Sequence, residues 1–162
     1  MAEHDIFHQI LKVVQDAGVW HESFEHETTV RTSEEAAALR PEYTLAEGAK
    51  ALIMRIKVPH QGKKFVQAVV PGDKKFDSKK LKQAAGANDL RFATEAEVAE
   101  LTGGIQPGGV PPFGNLFGVE VYADTGVFAN DRIIFNAGRD ASIAMLSSDY
   151  KAVVKPVVAD IV

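Results

Sequence analysis

None of the 162 residues is cysteine. The chain therefore has no disulfide, thiolate metal site or cysteine nucleophile. Its fold must rest on burial and hydrogen bonding, and any hydrolytic chemistry on oxygen, nitrogen, backbone or water. Length makes that feasible, because a single domain of this size buries on the order of 70% of the surface its unfolded chain exposes. Hydrophobic residues at 46% and charged residues at 25% are globular values that argue against disordered, fibrous and membrane-embedded classes. Missing cysteine also fits a reducing compartment, so the expected location is the cytoplasm.

The first eighteen residues mix acidic and histidine side chains with apolar ones and read as no signal peptide. Apolar runs such as Ala68–Pro71 fall far short of the roughly 20 residues that cross a bilayer, so no membrane partner is expected.

The formal charge of −4 is unevenly spread. Lys50 to Arg91 holds 11 basic residues against 3 acidic ones, while the rest of the chain holds 7 against 19. Phosphate binding follows local basic density more than net charge, so this segment is a candidate footprint for a polyanion. A lysine-rich solvated helix with its flanking turns explains the same pattern.

Apolar spacing predicts an amphipathic helix from Asp5 to Ala17 and a strand over Val19–Glu25. Thr32 and Glu35 make a capping box for a helix through Leu39, and Thr94 with Glu97 makes another for a helix to Leu101. Ala49–Lys57 and Lys64–Val70 read as strands and Ser78–Ala85 as a lysine-rich helix. Beyond the irregular stretch Gly103–Asn115, strands are predicted over Leu116–Tyr122, Gly126–Phe128, Arg132–Phe135 and Ser142–Leu146. A helix over Ser148–Val153 and a strand over Val157–Val162 follow. Helices and strands mix without strict alternation, which predicts one α+β domain over residues 1–162 with a mixed, strongly curved sheet.

The densest chemical signal is Gly108-Gly109-Val110-Pro111-Pro112-Phe113-Gly114. Long irregular loops in compact domains are usually functional. Glycine lets backbone amides approach a ligand and proline freezes the segment, so consecutive N–H groups can form a ready receptor for a carbonyl oxygen or oxyanion. A rigid connector is the alternative. Lys50 heads a predicted strand, where its ammonium can attract phosphate or polarise a carbonyl, or merely be solvated. Asn136, before Ala137-Gly138-Arg139, can orient a ligand or bond its own turn. His4 and His8 have helical metal-pair spacing but no recurring carboxylate partner, so no metal and no cofactor are expected. The chain carries neither a phosphate-binding GxxxxGK[ST] loop nor a G-x-S-x-G elbow.

Gly48-Ala49-Lys50-Ala51-Leu52, the Lys64–Pro71 strand with Gly72-Asp73, the helix Lys79–Ala85, the Ala93–Leu101 segment, Gly108 through Gly114, and Phe135-Asn136-Ala137-Gly138-Arg139 together resemble the YbaK/EbsC family. These are free-standing relatives of the editing insertion of bacterial prolyl-tRNA synthetase, and the resemblance covers most of the chain. It implies a barrel-like mixed sheet flanked by helices and hydrolysis of amino acids wrongly esterified to tRNA. The family's signature lysine falls on Lys50 and its GxxxP loop on Gly108 through Pro112. Asn136 stands where several relatives have histidine.

The resemblance further implies that Lys50 holds the terminal phosphate or the carbonyl of the aminoacyl end, while the Gly109 and Val110 amides face the carbonyl. The substrate's own ribose hydroxyl would activate water. The partner implied is the tRNA acceptor end, with an aminoacyl-tRNA synthetase as a possible second. Candidates for the substrate wall are Phe24, His26, Thr28, Met54, Val110, Phe113, Asn136 and Gly138. Bulky Val110 and Phe113 predict a small pocket for Ala, Cys, Ser or Thr, carried on the tRNA for proline. A non-catalytic module that binds tRNA and a small-molecule ester hydrolase remain alternatives.

Overall fold

The computed structural model describes residues 2–25 and 42–162. Two ten-residue strands, β2 (Ala49–Val58) and β3 (Gly62–Pro71), form its backbone. They pair antiparallel in unbroken register from Ala49 opposite Pro71 to Val58 opposite Gly62. Alternation along β2 sends Ala49 and Ile53 into one apolar cluster and Met54, Ile56 and Val58 into another on the opposite face. β3 is buried from Val66 through Pro71, as a strand covered on both faces should be.

Around this pair lie β4 (Asp89–Phe92), antiparallel on β2, and β5 (Glu120–Asp124), parallel on β3. β8 (Val157–Ala159) runs parallel to β5, giving the order β4-β2-β3-β5-β8. A second, three-stranded antiparallel sheet joins β1 (His21–Glu25), β7 (Ala141–Leu146) and β6 (Arg132–Asn136) in that order. The α+β class holds, but the expected barrel-like single sheet does not form. Two open sheets meet at one parallel bridge, Gly48 to Ile134.

Helix α1 (Ala2–Asp16) buries Ile6, Phe7, Ile10 and Val14 in the larger core. α2 (Ser78–Ala85) matches its predicted bounds. Asp77 accepts from the Lys79 and Lys80 amides at its start, and Gly86 ends it with φ 66°. α3 (Glu95–Thr102) opens with the expected Thr94–Glu97 capping box, and α4 (Ser147–Val154) packs Tyr150 into the core. No described helix is long and apolar enough to cross a membrane.

Three predicted strands changed. Gly126–Phe128 lies in a 3-10 helix, Thr125–Ala129, because Asp124 caps it by accepting from the Gly126 amide. Leu116 and Phe117 belong to another, Gly114–Phe117, so that strand starts only at Glu120. The last strand stops at Ala159, where Ile161 turns inward and donates its amide to Asp124. β4 was absent from the sequence reading, being short and half-polar. The predicted helix from Thr32 to Leu39 falls outside the described residues.

Candidate functional site

The site candidates converge where the two sheets meet. Gly48 bridges Ile134 in parallel, so Lys50 and Asn136 each stand two residues beyond that bridge on their own strands, on the side of the strand that Gly48 and Ile134 occupy. Asn136 pairs with Ser142, Ser142 with Phe24, and Lys50 with Val70. Phe24, Ser142 and Asn136 thus form one row across the smaller sheet, and Lys50 and Val70 pair across the long hairpin on the other side of the bridge. Ser142 Oγ donates to Asn136 Oδ1 at 3.4 Å. Lys50 is half-buried, and among the described residues no carboxylate pairs with it.

Between the bridge and β4 one edge of β2 has no strand partner among the described residues. Ile53 and Lys57 carbonyls accept from the Ala93 and Asn88 amides on that edge, so odd-numbered residues direct their backbone groups there. Ala51 is the next odd position, and its N–H and C=O face the gap where neither β4 nor β6 pairs with it.

The Gly108–Gly114 loop closes the other side, fixed by four carbonyls that each accept from a different place. Asn136 Nδ2 donates to Gly108 O at 2.9 Å and the Gly138 amide to Gly109 O at 2.8 Å. Gln67 Nε2 donates to Pro111 O at 2.9 Å, and Tyr150 Oη to Pro112 O at 2.6 Å. Burial pushes the Tyr150 phenol well above its ordinary pKa and keeps it a donor. Gln67 Oε1 accepts from the Gly114 amide, and a Cβ on Gly114 would lie 2.7 Å from Val119 Cγ2.

This clamping alters the roles expected of the loop. The Gly109 amide donates to Gln106 O at 2.8 Å and the Val110 amide to Pro107 O at 3.4 Å, within the 3-10 helix Pro107–Gly109. They do not face the gap as free donors. Exposed Gly108 is the residue whose N–H takes no part in that turn. Phe113 is 0% exposed and packs on Phe135 and Tyr150, with ring centroids at 5.3 and 5.6 Å. Val110 and Met54 are also core residues. The argument for a small pocket from Val110 and Phe113 therefore fails, since both are buried in the apolar core. Pro112 and Gly138 hold the loop in place. His26 and Thr28 lie outside the described residues.

Sequence reasoning missed Gln67, Ser142 and Tyr150. Gln67 alone carried a signal, as the one polar residue within Phe65-Val66-Gln67-Ala68-Val69-Val70. Among the described residues no three His, Asp or Glu side chains are placed to hold a metal ion.

An α+β domain with a half-buried lysine near the junction of its two sheets and a clamped Gly-Pro loop defines a class. The aminoacyl-tRNA editing domain model matches residues 27–152. The chain is 31% identical over 159 residues to the multifunctional Ser/Thr-tRNA deacylase ProXp-y of Escherichia coli K12, covering 96% of this chain and 93% of that protein. It is 31% identical over 134 residues to the proline–tRNA ligase of Stenotrophomonas maltophilia R551-3, covering 82% of this chain but 23% of the ligase. A solved structure described as a candidate trans-editing enzyme for prolyl tRNA synthetase superposes with a TM-score of 0.73 at 27% identity. That match covers 87% of this chain and 85% of the other. The chain belongs to the aminoacyl-tRNA editing domain family. Its enzymatic class is aminoacyl-tRNA deacylase.

Proposed function

We propose that this protein hydrolyses the ester of mischarged tRNA in trans, removing a small amino acid such as Ala, Cys, Ser or Thr, with the tRNA for proline as first candidate. The single observation that carries the reading is the meeting of the two sheets at the Gly48–Ile134 bridge, where Lys50 and Asn136 each stand two residues beyond it and Asn136 holds Gly108 of the clamped loop. The relative named as a Ser/Thr-tRNA deacylase and the proline–tRNA ligase support the choice of amino acid and tRNA.

An aminoacyl ester is already activated, so the enzyme's task is to position water and stabilise charge. Water attacks the ester carbonyl, and the carbonyl oxygen takes the electron pair. Collapse breaks the C–O bond to the ribose, returning a proton to that oxygen and releasing the free amino acid. The substrate's neighbouring ribose hydroxyl relays that proton, accepting one from the attacking water as it gives its own to the departing ribose oxygen, so the step needs no carboxylate base. The Lys50 ammonium, unpaired with any described carboxylate, holds the terminal phosphate or the developing oxyanion. Asn136 fixes Gly108, so the loop presents one shape to the aminoacyl group. No step uses a metal or cofactor.

The test is a panel of tRNAs charged with small, β-branched and aromatic amino acids, run beside free aminoacyl esters. Ester loss from small-residue tRNAs ahead of aromatic ones supports the reading. Binding without loss would mark a non-catalytic module, and turnover of free esters alone a small-molecule hydrolase.

A further inference from the structure

The face that carries Lys50 also carries an aromatic ring that packing leaves exposed. Phe92, the last residue of β4, stands opposite Met54, and 57% of it is exposed, the most of any large apolar side chain described. Phe76 supports it edge-on, with ring centroids 6.1 Å apart. Phe92 and its partner Met54 share their face with Leu52 and Lys50, and Met54 is four residues from Lys50, about 13 Å along the strand. The β2 edge without a strand partner among the described residues lies between them.

Positive charge adjoins the supporting ring in the chain. Lys74 and Lys75, both exposed, immediately precede Phe76 in a turn tied to the site by the Gly72 amide, which donates to Gly48 O at 2.8 Å. The basic segment therefore divides. Lys57 and Lys63, opposite each other, sit at the far end of the hairpin, more than about 20 Å from Lys50, on the other face. Lys80 is held by Asp160 and the Val162 carbonyl.

We infer that Phe92, supported by Phe76, with Lys74 and Lys75 preceding that second ring in the chain, is a stacking platform for an unpaired base upstream of the nucleotide that bears the ester. The inference rests on the deacylase reading for its ligand. Every base has a π face, so an exposed ring accepts one without reading its identity, and adjacent ammonium groups neutralise the flanking phosphates. An isolated exposed phenylalanine would need no explanation. This one is supported by a second ring and stands on the site's own face. Lys74 and Lys75 adjoin its supporting ring, and among the described residues no strand pairs the β2 edge between it and Lys50.

The experiment measures the affinity of uncharged tRNA, intact or trimmed of its unpaired 3′ nucleotides, for the wild type and for Phe92→Ala, Phe92→Trp and Lys75→Ala. Phe92→Ala should weaken intact tRNA about tenfold, within the range of one lost stacking contact, and leave trimmed tRNA unchanged. Phe92→Trp should retain affinity, and Lys75→Ala should flatten the salt dependence. Equal affinity of wild type and Phe92→Ala for intact tRNA, or an equal loss on trimmed tRNA, overturns the platform. Turnover of charged tRNA by the wild type, measured alongside, tests the deacylase reading separately.

Discussion

Gln67, fully buried on β3, spans both ends of one short segment: its Nε2 donates to Pro111 O at 2.9 Å and its Oε1 accepts from the Gly114 amide at 2.8 Å. One side chain thus satisfies an acceptor and a donor that water cannot reach. Gln67→Leu keeps comparable bulk and leaves both unpaired, at about 1–3 kcal/mol for each group. The expected result is a loss of about 2–5 kcal/mol in denaturant unfolding, with kcat falling in the fraction that still folds. Gln67→Glu should not rescue, because a carboxylate accepts from Gly114 but cannot donate to Pro111.

Lys50 should separate activity from stability. It is half-buried, with no described carboxylate left orphaned by its removal. Lys50→Ala is therefore expected to unfold within about 0.5 kcal/mol of wild type, as surface substitutions generally do. Deacylation should fall about 10²–10³-fold, the usual cost of removing one group that stabilises developing charge. Unchanged turnover by the folded variant would remove Lys50 from the mechanism.

Asn136 is expected to act through the loop rather than on the ester. Its Nδ2 donates to Gly108 O, and its Oδ1 accepts from Ser142. Asn136→Asp keeps the shape and the acceptor but sets a carboxylate against the Gly108 carbonyl. The expected outcome is a lower kcat with KM for charged tRNA little changed and the melting temperature within a few degrees of wild type. A rise in KM alone would point to direct substrate contact instead.

How much of this was legible depended on the range of the signal. The Ser78–Ala85 helix, the Thr94–Glu97 box and the two long strands were readable because capping and alternation are written in neighbouring residues. Lys50 and the Gly108–Pro112 loop were singled out for the same reason. The grip on that loop was not readable, since Gln67 and Gly114 are 47 residues apart and Tyr150 and Pro112 are 38 apart. Phe113 was misassigned because a bulky residue beside prolines reads alike whether it lines a pocket or fills the core. Gly126–Phe128 was misread because the Asp124 cap turns an apolar triplet into a 3-10 helix.

The Arg91–Glu97 pair gives a pH signature that can be separated from catalysis. Arg91 Nη1 and Nη2 donate to the two Glu97 oxygens at 2.7 and 2.9 Å, while the Thr94 amide donates to the same carboxylate. The guanidinium first, then the capping amide, lowers the Glu97 pKa from 4.5 to about 2. A folded-state pKa below the unfolded one gives stability that is fully present above pH about 4.5 and is lost as pH falls towards 2. Glu97→Gln cannot titrate and keeps a weaker cap. The melting-temperature gap between wild type and Glu97→Gln should therefore be constant from neutral pH down to about 5 and close progressively between 4.5 and 2. Because both side chains are partly solvent-exposed, added salt should narrow the gap at neutral pH. A gap independent of pH across that window would show that the α3 cap, and not the charge on Glu97, makes the contribution.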